Sequence, residues 1–184
     1  RSSARIHIAT GEYTTATETF PLAINGKTVQ LLGTNANTTI LNAATANKGV
    51  LQFIYCPFGD NQIRGLTLLN GVNLSTSTHG GGIHLRASTL TVTNSVIRNN
   101  RTTSNPCYGG GIYAQDSSAL FCDTLFLTNN AQQSTGHING QGGGLYAHSG
   151  SLELYNSVFS TNIAKQSDSD PSTPDSGGIR LVRG

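Results

Sequence analysis

Gly80-Gly81-Gly82-Ile83, followed eleven residues on by Asn94-Ser95-Val96-Ile97-Arg98-Asn99-Asn100, is the stretch on which the fold turns. The pattern returns in register. Units begin at Gly81-Gly82-Ile83, Gly110-Gly111-Ile112 and Gly143-Gly144-Leu145, and a fourth opens at Gly177-Gly178-Ile179. The second glycines lie 29, 33 and 34 residues apart. Within the units Asn94, Asp123 and Asn156 share a position, then Ser95, Thr124 and Ser157, then Ile97, Phe126 and Phe159. Asn100, Asn129 and Asn162 close each unit, and an earlier segment, Arg64 to Asn70, is read as ending on the same Asn. Length varies only between that Asn and the next Gly-Gly pair. A fixed period of this size is the signature of a solenoid.

Working outward, Leu90 and Val92, Ala119 and Phe121, and Leu152 and Leu154 alternate with Thr91, Leu120 and Glu153. That is the two-residue period of a strand with one buried face. No segment keeps a helical period. The fold expected is all-β: a right-handed parallel β-helix of about five to six coils over residues 1–184 as one domain, with N-terminal coils over 1–70 and the Gly-Gly … Asn repeats over 71–184. Three short strands are expected per coil, and the last coil is read as incomplete. Stacked like residues should form an apolar ladder of Ile97, Phe126 and Phe159 and an amide ladder of Asn70, Asn100, Asn129 and Asn162. The Gly-Gly pairs are expected where the backbone needs positive φ or cannot hold a Cβ.

Composition narrows function. Charged residues are 11% of the chain and the net charge is +2, with the 11 Lys and Arg scattered. That argues against nucleic acid, which needs a clustered basic face. No stretch nears the roughly 20 apolar residues of a membrane span. Three cysteines, Cys56, Cys107 and Cys122, allow one bridge and one free thiol but no disulfide scaffold.

These units resemble repeats of the pectin-lyase-like right-handed β-helix superfamily. They are most similar to the versions in bacterial and archaeal surface proteins, including adhesin-like and polymorphic outer-membrane-type proteins. Gly11-Glu12-Tyr13, Glu18-Thr19-Phe20-Pro21-Leu22, Val29-Gln30-Leu31-Leu32-Gly33 and Thr39-Ile40-Leu41 resemble the opening coils of such domains. The resemblance implies the fold firmly and the function weakly, since lyases, hydrolases, tailspikes and adhesins share the scaffold.

The enzymes among them act on polysaccharides and need converging carboxylates. Only nine acidic residues are present, and they do not cluster in the sequence. Asp123 stands where other units carry Asn, which reads as a bend. Glu153 points outward beside Tyr155. Asp168, Asp170 and Asp175 offer calcium-type oxygens without the glycine and terminal Glu of an EF-hand loop. No nucleophile–base arrangement surrounds the histidines. No catalytic residue, metal site or cofactor is therefore expected.

What remains is a row of variable segments, Gly71–His79, Arg101–Tyr108, Asn130–Gln141 and Ile163–Ser176, carrying His79, Tyr108 and His137 as candidate recognition residues. Ile179 and Leu181 mark a candidate assembly edge. The expectation is a non-catalytic extracellular or cell-surface module, adhesin-like or self-assembling through its ends into a sheath or filament. Its partners would be copies of itself, the rest of a longer β-helix, or a surface polysaccharide. The alternatives are a polysaccharide lyase or glycoside hydrolase, whole or in part, and a binding domain of a larger protein.

Overall fold

The computed structural model describes residues 3–56, 59–75, 79–103, 106–132, 140–165 and 176–183. The chain is all-β, a parallel solenoid of about five turns. Every paired strand is parallel to its neighbour, one coil above or below.

Among the described residues four sheets run along the axis rather than three. A ten-stranded sheet has two arms. One arm stacks Leu22–Asn25, Leu51–Ile54 and Ile83–Arg86. The other stacks Ser3–Ile8, Thr28–Gly33, Gln62–Arg64 and Thr89–Thr93. The long strands Ile112–Cys122 and Leu145–Tyr155 turn the corner and join both arms, and Ile179–Val182 caps the first arm. A six-stranded sheet stacks Gly11–Tyr13, Thr39–Asn42, Thr67–Leu69, Val96–Arg98, Leu125–Leu127 and Val158–Ser160. Two short sheets lie in the segments read from the sequence as loops. One holds Val72–Asn73, Arg101–Thr102, Asn130–Ala131 and Ile163–Ala164; the other holds Cys107–Tyr108 and Gly140–Gln141.

The corners explain the polar part of the repeat. At one corner Gly65, Asn94, Asp123 and Asn156 all have positive φ; at another it is Tyr55, Ala87, Asp116 and Ser149. A third corner stacks Asn70, Asn99, Thr128 and Thr161. Asn, Asp and Gly tolerate this left-handed conformation, whereas Tyr55, Ala87 and Thr128 adopt it against preference because the stacked coils dictate it. The residue after each corner ties one coil to the next. Ser88 Oγ accepts from the Cys56 N–H at 2.9 Å, and Ser95 Oγ accepts from the Leu66 N–H at 3.3 Å. Each hydroxyl also donates to a carbonyl two residues back. These buried serines are hydrogen-bonded, which removes the cost of burying them.

The glycines divide their work. Positive φ falls on Gly80, Gly109 and Gly142, the residues before each Gly-Gly pair. The pair itself is set by close stacking: a Cβ on Gly82 would meet the Gly111 carbonyl oxygen at 2.6 Å. Inside the coils lies a large apolar core, with Phe53, Phe121 and Phe126 its largest fully buried side chains, and Cys107, Ala131 and Ala164 form a small second cluster.

Candidate functional site

The Ile97–Phe126–Phe159 column lies on the inner face of the six-stranded sheet, in direct register. Ile97 and Phe126 are fully buried. The Phe126 and Phe159 rings are parallel with centroids 4.1 Å apart, and Phe121 meets Phe126 edge-on at 5.3 Å. The column continues down through Leu68, Leu41 and Tyr13.

Asn100, Asn129 and Asn162 stack as a side-chain ladder. Asn100 Nδ2 donates to Asn129 Oδ1 at 3.1 Å, and Asn129 Nδ2 donates to Asn162 Oδ1 at 3.0 Å. Each amide also donates to the carbonyl of an inward ladder residue one coil below: Leu68, Ile97 and Phe126 respectively. Asn70 is not a rung of this ladder. Arg98 pairs with Leu69, so Asn70 is level with Asn99 and Gly71 is level with Asn100. Asn70 holds the left-handed corner instead and donates to Asn42 Oδ1 at 3.1 Å. The Gly71 N–H takes the ladder bond, donating to Asn100 Oδ1 at 2.9 Å.

Asn129→Ala is expected to cost about 1–3 kcal/mol, because the Ile97 carbonyl and the Asn100 amides lose buried partners. Asn70→Ala, at a half-buried corner, should cost less. Chemical denaturation of the two variants compares them directly.

On the loop edge the structure gathers more than the sequence suggested. Beyond each left-handed glycine the chain folds back, so that His79 lies against His84 and Tyr108 lies near Tyr113. His84, Tyr113 and Tyr146 form one outward column that the fold-back segments bury. Tyr108 stacks on Tyr146 at 4.4 Å, and His79 contacts Tyr108 and Tyr113 at 5.0 and 4.9 Å. His84, Tyr113 and Tyr146 were not singled out from sequence. The signal was present, since His79 and Tyr108 each precede the glycine triplet by one residue and His84 and Tyr113 each follow it by two. His137 lies outside the described residues.

This cluster keeps its histidines neutral. Burial, then the neighbouring His84, pushes His79 down to about 4. Burial also lowers His84, with Arg86 adding to it against the His79 backbone hydrogen bond. Neutral His84 places Nδ1 2.9 Å from the His79 carbonyl oxygen and 3.2 Å from the His79 backbone nitrogen; its Nδ1–H tautomer donates to the carbonyl, and its Nε2–H tautomer accepts from the N–H. Burial raises Tyr146 to about 12, reinforced by Tyr108 and Tyr113 and opposed by Arg180.

Because the folded state holds a lowered histidine pKa, the unfolded chain binds the proton more readily. The stability tied to His79 is complete above its ordinary value and drains away as pH falls from 6.5 toward about 4. Thermal melts over that window should show the wild type losing more stability than His79→Gln. Equal losses would remove His79 from the cluster's energetics.

Among the described residues the carboxylates do not converge. Asp116 and Asp123 sit at left-handed corners. Glu153 is exposed and accepts from the Tyr155 hydroxyl at 3.4 Å. No trio of His, Cys, Asp or Glu suited to a metal occurs among the described residues; Asp168, Asp170 and Asp175 lie outside them. Cys56 and Cys107 are buried and Cys122 is partly buried, and burial raises Cys107 to about 11. One open groove of about 620 Å³ crosses several coils and brings His7, Arg64, Asn94 and Asp123 to a common wall.

The remaining candidate residues lie on the last described strand, Ile179–Val182. Ile179 pairs with Leu145 and packs on the core, while Leu181, level with Ala147, is 62% exposed. Beside the first described strands an apolar hollow of about 520 Å³ is lined by Ile6, Ile8, Tyr13, Leu22 and Ile24. No family model matches the chain, and no curated protein or solved structure matches it either.

Proposed function

We propose that the chain is a non-catalytic β-helix module of the pectin-lyase-like kind, working outside the cell or at a cell surface as an adhesin-like structural rod. One observation carries this reading: several of the described residues that could do chemistry hold coils together. Asp116 and Asp123 make corners, the buried Asn and Ser side chains bridge coils, and His79 and His84 are neutral members of an aromatic brace. The brace holds His79 and Tyr108, the described ends of two variable segments, against one column of the sheet, a rigid base of the kind on which recognition segments stand.

Incubation with acidic and neutral polysaccharides, with calcium present, tests it. The expected result is retention on a surface polysaccharide or on cells with no unsaturated product and no new reducing ends. Steady product formation would sink the reading. The groove lined by His7, Arg64 and Asp123 favours the second reading, a polysaccharide lyase or hydrolase. Product formation abolished by Arg64→Ala or Asp123→Asn would establish that one instead.

A further inference from the structure

The aromatic brace gives way to a polar cavity. Its outward column runs from Tyr146 through Tyr113 and His84 to Gln52. His79 and Tyr108 cover the rings, but the cover changes at Gln52. Counted back from the Leu51–Ile83 pair, Asn47 falls where His79 falls, and Lys48 where Gly80 falls. The run from Ala44 to Lys48 carries no ring. Beside it lies a cavity of about 310 Å³, with Pro21, Asn47, Lys48, Gln52, Asn73 and His84 in its walls. That volume is within the range of about 300–1,000 Å³ for small-molecule sites. The cavity opens on the other arm of the large sheet from the groove lined by His7 and Arg64.

Unused bonding capacity sets this cavity apart. The side-chain polar groups of Asn47, Lys48 and Gln52 bond nothing among the described residues, whereas Ser88, Ser95 and Asn129 bridge coils. Asn73 holds one wall, donating to the His79 and Gly80 carbonyls at 3.3 and 3.5 Å. His84 Nδ1 is taken by the His79 backbone, which leaves Nε2 for a ligand. No carboxylate is among the described lining residues, and Lys48 supplies the cation. Two primary amides and an imidazole each donate and accept, which suits neighbouring hydroxyls. The ammonium suits a carboxylate.

We propose that this cavity binds one sugar-acid unit, a hydroxylated ring carrying a single carboxylate. The carboxylate pairs with Lys48, and the hydroxyls bond Asn47, Gln52 and His84 Nε2. The Pro21 ring offers an apolar surface to the ring carbons. A phosphate, with nearly two charges, exceeds what one ammonium balances. The inference deepens the adhesin-like reading and rests on it for its setting, a partner surface that displays an acidic glycan.

Titration of the isotope-labelled 184-residue chain with glucuronate, glucose and inorganic phosphate, followed by NMR, tests the site. Glucuronate should shift the Asn47 and Gln52 side-chain amides and the His84 ring. Glucose should bind about tenfold or more weaker, the loss of one charge-assisted hydrogen bond, and phosphate should also bind weaker than glucuronate. Lys48→Met, which keeps the apolar stem, should erase the preference for glucuronate over glucose. Gln52→Ala should weaken both sugars about two- to tenfold, and Lys27→Met should change neither. Lys48 and Gln52 side chains bond nothing among the described residues, so both variants should melt with the wild type. Equal affinity for the two sugars, no shifts at tens of millimolar glucuronate, tighter binding of phosphate, or a preference that survives Lys48→Met overturns the proposal. Retention on an acidic polysaccharide that survives both Lys48→Met and Gln52→Ala overturns this site and leaves the adhesin-like reading standing. Glucuronate binding here, accompanied by polysaccharide cleavage, overturns the non-catalytic reading alone.

Discussion

Phe126→Ala is expected to lower stability by about 3–5 kcal/mol, the range for emptying a fully buried Phe site. The size follows from position. Phe126 has no exposed surface, a ladder neighbour in register on each side, a parallel ring at 4.1 Å and an edge-on ring at 5.3 Å. The site cannot easily collapse, because the backbones above and below are fixed by the sheet and by the Asn ladder, whose Asn162 Nδ2 bonds the Phe126 carbonyl at 2.9 Å. Phe159→Ala should cost clearly less, since Phe159 is only half-buried on the last rung. Denaturant midpoints with unchanged slopes would report both. A loss under about 1 kcal/mol for Phe126→Ala, an ordinary surface-scale change, would mean that its face of the sheet is not the core.

Gly111→Val is expected to cost about 3 kcal/mol or more, the upper end for overpacking, because the obstacle is backbone. A Cβ there would press on the Gly144 carbonyl oxygen of the next coil and stand 3.1 Å from Asn129 Cγ. Relief requires the two coils to move apart, which breaks the hydrogen bonds from the Gly111 and Ile112 N–H groups to Gly143 and Gly144. Gly178 holds the same place in the repeat, yet a Cβ on it meets nothing within 4 Å. Gly178→Val should therefore be nearly neutral. The pair separates stacking from any intrinsic need for glycine at that step of the motif. Equal costs would favour a conformational requirement instead.

The contrast between those two glycines shows what the sequence could and could not convey. The Gly-Gly-hydrophobic unit and the inward positions of Leu90, Val92, Ala119 and Phe121 were legible because one residue type recurs at one spacing. The three corners were less so. Their requirement is a left-handed backbone, and Gly65, Tyr55, Ala87, Asp116, Thr128 and Asn156 all meet it with unrelated side chains. The Asn70 misalignment has the same origin. Asn99 and Asn100 are adjacent and do different work, one at a corner and one in the ladder, so a lone Asn could be matched to either. Hydrogen-bonding neighbours assign it to the corner.

The aromatic brace left a signal of a different kind. Its contacts join residues five apart across a glycine reversal, a relation with neither strand nor helix period. Nothing in composition marks Tyr113 and Tyr146 as outward yet buried. The first two coils carried the least signal, because Gly49-Val50-Leu51 stands level with Gly81-Gly82-Ile83 and keeps only one of the two glycines.

The central claim is the register, with each coil stacked in parallel on the next and Asn100, Asn129 and Asn162 aligned. Proton NMR of the side-chain amides measures it most directly. The account predicts nuclear Overhauser contacts from the Asn129 amide protons to Asn100 and Asn162, and from the Phe126 ring to Ile97 and Phe159, with Asn70 contacting Asn42. Contacts between the Asn70 and Asn100 amides, or a Phe126 ring without contacts to Ile97 and Phe159, would contradict it.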